Sequence, residues 1–139
     1  MLATELLSFQ LDNVGNQLQK ALDGITDSQC DHKVCPTAMT VRDMLEHLAE
    51  CYHAMLEEAA GREHEWGNYS IGDKSLDNLM NVVFELREQA CKAALTGDDA
   101  RLKSGFSFIV EHDAYHLGQI CLVRAPPEKL AGAREVARF

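Results

Sequence analysis

Apolar positions recur at helical spacing along most of the chain. The segment from Leu2 to Leu22 carries Leu7, Leu11, Val14, Leu18 and Leu22, a stripe of the i, i+4, i+7 kind. Asp23-Gly24 follows it as a C-cap. Thr40 precedes Val41 with Asp43 three residues on, the spacing of a capping box with a shortened acid. From there Val41, Met44, Leu45, Leu48, Tyr52, Met55, Leu56 and Ala59 repeat as far as Gly61. A third stripe begins near Ser75 and runs through Leu76, Leu79, Met80, Val83, Leu86, Ala90 and Leu95 to Gly97. The fourth runs from about Ser104 to Arg124, before Pro126-Pro127, which cannot continue a helix. No stretch alternates with period two, and no internal repeat or low-complexity segment interrupts the pattern.

Four helices of about 20 residues, each close to 30 Å long, bury one apolar face apiece most economically as a four-helix bundle. The expected fold class is therefore all-α. The first two links hold 15 residues or more and can cross the length of a bundle, so up-down-up-down connectivity is not required.

Composition narrows the picture. The chain has 139 residues, room for one domain, taken as residues 1–139. Acidic residues outnumber basic ones 22 to 13, a formal charge of −9, which argues against nucleic acid or an anionic membrane as partner. No apolar run reaches the ~18 residues of a membrane span, and the N-terminus lacks the pattern of a signal peptide. The five cysteines are odd in number and irregular in spacing, which fits reduced thiols and a cytoplasmic location.

Candidate chemistry lies in the histidines. At 100° per residue, with Phe106, Ile109, Val110, Leu117, Ile120 and Cys121 as the fourth helix's apolar reference, His112 and His116 fall together about 80–120° to one side. Being i and i+4, they share one face. His47 falls about 120° from its own stripe, on the same rotational side. Two imidazoles four apart, with a third from a neighbouring helix, make a facial metal-binding set; the plain alternative is three boundary histidines bonded to their neighbours. His32, His53 and His64 read as surface residues.

Leu45-Glu46-His47-Leu48-Ala49-Glu50 and Glu111-His112-Asp113-Ala114-Tyr115-His116-Leu117-Gly118-Gln119-Ile120 together resemble the two histidine motifs of the DinB/YfiT-like superfamily. The resemblance extends over most of the chain, and the Gly-Gln-Ile tail makes the second motif the more specific. It implies an up-up-down-down four-helix bundle, often a homodimer, that binds a divalent metal through His47, His112 and His116. It also implies small-molecule chemistry: low-molecular-weight thiol transfer, thiol-dependent isomerisation or hydrolysis.

Neighbouring residues have readings of their own. Gly118 within a helix suggests a close helix approach. Gln119, one turn beyond the histidine pair, either bonds a ligand imidazole or substrate or is simply solvated. Asp43, one turn before His47, either orients that imidazole or caps the helix, and the cap is the favoured reading. Asp113 faces the apolar stripe and needs a partner, Arg87 or Arg124. Cys51 lies one turn after His47, as a free core thiol or a member of a mixed site. Trp66 and Tyr69 either line a pocket mouth or anchor a loop.

Three functions compete. The first is a metal-dependent enzyme in which Zn²⁺ or Ni²⁺ activates a small thiol or a water. No Glu is forced towards the histidines as a general base, which favours thiolate transfer over hydrolysis. The second is a non-catalytic metal-binding, stress-response or interaction bundle. The third is a variant zinc peptidase using His112, His116 and Glu135, with Asp113 at the base position; that aspartate is a methylene short and faces the core.

Overall fold

The computed structural model describes residues 1–125, and within them every regular element is helical. Helix α1 spans Ala3–Leu22, the short α2 Asp27–Cys30, α3 Val41–Ala59 and α4 Leu76–Leu95. A composite last helix follows: α5 from Asp99 to Ser104, a π-helical segment from Gly105 to Glu111, and α6 from His112 to Arg124.

The predicted punctuation holds where side chains enforce it. The Thr40 hydroxyl accepts the Asp43 N–H at 3.0 Å, and an Asp43 carboxylate oxygen accepts the Thr40 N–H at 3.1 Å. Asp43 is thus a cap, satisfying two backbone donors that otherwise lack helical partners. Gly24 and Gly61 follow α1 and α3 with φ of +66° and +76°, the left-handed conformation that a side chain disfavours.

Three features depart from the sequence reading. The first link is not irregular throughout. It contains α2, opened by a reciprocal Thr26–Gln29 cap and held to α3 by Arg42, whose guanidinium contacts Asp27 and Asp31 at 2.7 Å each. The fourth helix begins earlier than Ser104 and changes register in its middle. Its buried line runs Gly105, Ile109, Asp113, His116 and Ile120, while Phe106 and Cys121 are exposed. His116 therefore lies on the core line instead of at its edge.

The core is built from all the long helices. Leu11, Leu18 and Leu22 of α1 meet Leu45, Leu48 and Tyr52 of α3, Leu79 and Val83 of α4, and Ile109 and Ile120 of the last helix. Each such aliphatic side chain contributes about 1.5–3 kcal/mol by leaving water. Close approach is set by Gly105, where a Cβ would stand 2.7 Å from that of Ala94. Among the described residues nothing lies within 4 Å of the same position at Gly118, so they do not make the close approach expected there.

The core also holds one charged network. Asp113 is fully buried, accepting the Tyr52 hydroxyl at 2.6 Å and the Arg87 Nε–H at 2.8 Å. Arg87 donates onward to the Leu11 carbonyl at 2.8 Å. Of the two partners expected for Asp113, Arg87 is the one used; Arg124 donates to the Ala21 and Asp23 carbonyls at the end of α1. Burial pushes the Asp113 carboxyl up, against the opposing pull of Arg87 and Tyr52. Because Asp113 neighbours His112 in sequence, the network anchors the backbone that carries both histidines of α6.

No helix is long and apolar enough to cross a membrane among the described residues.

Candidate metal centre

His47, on the middle of α3, and His112 and His116, on the first turns of α6, are brought together. His112 Nε2 is 3.1 Å from His47 Nε2 and 3.1 Å from His116 Nε2. The rings meet edge to face, with interplanar angles of 69–88° and centroids 4.5–5.3 Å apart. An i, i+4 pair accounts for the His112–His116 proximity. Packing of α6 against α3 brings in the third ring.

The donor chemistry fits one shared cation. A neutral imidazole carries a single N–H, so His112 Nε2 cannot donate to both neighbours at once. Nitrogens bound to one Zn²⁺ at about 2.0–2.1 Å stand roughly 3.0–3.4 Å from one another, the spacing of the His112–His47 and His112–His116 pairs. The environment also favours the neutral form of the two α6 rings. Burial, followed by the charges of His116 and His47, lowers the His112 pKa to about 4. Burial and His47 lower His116 as well, partly offset by its bond to Gln119.

The far sides of the rings differ. The Gln119 carbonyl oxygen accepts from His116 Nδ1 at 2.7 Å, and its amide nitrogen donates to the Tyr115 hydroxyl at 3.3 Å. His112 Nδ1 is buried without a hydrogen-bond partner among the described residues.

Cys51 adjoins this cluster. Its Sγ is 3.8 Å from His47 Nε2, and ligand atoms of His47, Cys51 and His112 all lie within 4.8 Å of one another. Burial, then the charges of Glu50 and Asp113, pushes the thiol up to about 12.

Other singled-out residues fall elsewhere. Tyr69 packs on His53, with ring centroids 5.1 Å apart, and Trp66 lines a cavity that Cys51 borders. His32 is exposed, as expected. His53 and His64 are not free surface residues. His53 is half-buried beside His64, whose Nε2 lies 2.9 Å from a Glu50 carboxylate oxygen. That same oxygen accepts the Gly67 N–H at 3.0 Å. Helical phase could not find His64, which is on no helix; the only available signal was the crowding of His64, Trp66 and Tyr69 in one link. Glu135 lies outside the described residues.

Comparison with curated proteins and with solved structures returns no match. A model of the DinB superfamily matches residues 10–120, which include α3, α4 and both histidine motifs. The chain belongs to the DinB superfamily.

Proposed function

We propose that His47, His112 and His116 hold one divalent metal ion, Zn²⁺ or Ni²⁺, and that the protein uses it on a small molecule. The observation that carries this reading is the double 3.1 Å approach of neighbouring imidazole nitrogens to His112 Nε2. Bound there, a divalent ion supplies open positions able to polarise a carbonyl or to lower the pKa of a water or thiol. The chain's own contribution is to hold three imidazoles together, two of them with lowered pKa. The Asp113–Arg87–Tyr52 network fixes the α6 backbone, and Gln119 sets the His116 tautomer. Transfer involving a low-molecular-weight thiol or hydrolysis is the activity class, on an up-up-down-down bundle whose two long links permit that connectivity. The non-catalytic alternative keeps the ion and lacks turnover.

A second ligand set, His47, Cys51 and His112, is favoured by the clustering of those three donor atoms. Cobalt substitution separates the two. A His₃ site gives no thiolate-to-metal charge-transfer band and an unchanged spectrum in Cys51→Ala. A mixed site gives such a band and loses it on that substitution.

A further inference from the structure

A cavity of about 360 Å³ opens between α3, the link after it and the π-helical segment; its wall includes Cys51, Met55, His64, Trp66 and Phe108. That volume lies in the range of small-molecule sites. Cys51 is the one residue it shares with the histidine cluster's immediate surroundings, so the cavity lies beside the metal centre.

Of the polar residues that line this wall, Glu58, Arg62 and Glu63 are exposed, whereas His64 is built into it. Its side chain is only 10% exposed, although it sits in a link. Burial pushes the Glu50 carboxyl up, but the bonds from His64 and the Gly67 N–H outweigh it and hold it below its usual range. The Glu50 oxygen that faces His64 also accepts the Gly67 N–H, so it is an acceptor, and a ring with a single N–H carries it on Nε2. The lone pair is left on Nδ1, which makes no hydrogen bond to any described residue. The rest of the wall is apolar and aromatic, from Ala54, Met55, Trp66 and Phe108, with the exposed Glu58 and Glu63 at its rim. At the rim Arg62 is occupied by Glu57, at 2.8 Å through both Nε and Nη2, and supplies no free cation for a carboxylate ligand.

We infer that this cavity binds the organic molecule on which the centre acts, and that His64, oriented by Glu50, accepts the hydrogen bond of that molecule's weakly acidic O–H or N–H group. The ligand class is a small, uncharged, apolar or aromatic molecule with one such donor. The placement beside the metal centre rests on the proposed function; the cavity and the acceptor do not. Orientation by a carboxylate on the opposite nitrogen is the usual way of presenting an imidazole as a base.

Trp66 is the chain's only tryptophan, so its fluorescence reports occupancy of the cavity directly. The probes are 3-nitrophenol, which stays largely un-ionised at neutral pH, and its O-methyl ether, 3-nitroanisole, which lacks the donor. They are titrated into the protein as purified and again after chelation. Saturable quenching is expected, with the phenol bound about tenfold tighter than the ether, the worth of one good hydrogen bond. His64→Ala should abolish that preference while leaving ether binding intact. His64→Gln keeps a donor for Glu50 but lacks the second ring nitrogen, and should abolish it too if the alanine variant does not fold. Absence of saturable quenching in the wild type, or a preference surviving in both folded variants, overturns the inference. A preference that vanishes on chelation also overturns it, because the metal would then be recognising the phenol. Failure of metal binding alone, with the His64-dependent preference intact, contradicts only the proposed function.

Discussion

The Gln119 carbonyl oxygen accepts a hydrogen bond from His116 Nδ1 at 2.7 Å, and this contact decides which nitrogen of the ring faces His112. With the proton held on Nδ1, the Nε2 lone pair points to the other imidazoles, the tautomer that metal ligation requires. Gln119→Leu should weaken metal binding by about 10–100-fold with the helical circular dichroism unchanged. Competition against a calibrated chelator measures it.

The network beneath α6 makes a stability prediction. Asp113→Ala leaves the Arg87 guanidinium buried without its carboxylate, and should cost about 3–5 kcal/mol in urea unfolding. Tyr52→Phe removes one hydroxyl and leaves Asp113 its bond to Arg87, so about 1–3 kcal/mol is expected. Equal losses would mean that the ion pair is not the dominant member.

Two glycines should respond in opposite directions to alanine. A Cβ at Gly118 meets nothing within 4 Å among the described residues, so Gly118→Ala should gain up to about 1 kcal/mol of helix propensity. A Cβ at Gly15 would stand 2.5 Å from Arg87 Nη1. That guanidinium is pinned by Asp113 and the Leu11 carbonyl and cannot swing aside cheaply, so Gly15→Ala should destabilise. Thermal unfolding of the two variants side by side tests both signs.

The lowered His112 pKa predicts acid sensitivity of the metal-free protein. The unfolded chain's histidine takes up its proton near pH 6.5, whereas native His112 does so near 4. Between those values the unfolded state binds more protons, so stability falls as the pH drops through the interval. The full effect is at most about 3 kcal/mol, and His112→Gln should flatten that part of the pH–stability curve.

Much of this was legible in the sequence because helices carry local signals. The stripes of α1, α3 and α4, the Thr40–Asp43 box and the burial of Asp113 all follow from residues within a few turns of one another. The convergence of His47 with His112 and His116 was legible as phase. The remaining misreadings have physical causes. Phase arithmetic assumes 100° per residue, and the π segment from Gly105 to Glu111 breaks that assumption, displacing Phe106 to the surface and leaving His116 on the core line. Gly118 carried a sound energetic argument but no information about distance. The Glu50–His64 pairing joins a helix to a loop across 14 residues of chain and has no periodic signature.

The most direct test of the account is metal content. After equilibrium dialysis against Zn²⁺ or Ni²⁺, elemental analysis should find one ion per wild-type chain. His47→Ala, His112→Ala and His116→Ala, each verified as folded, should retain none at the same free-metal concentration. An undiminished stoichiometry in any one of the three variants would contradict the three-histidine centre, and retention in all three would contradict the metal site itself.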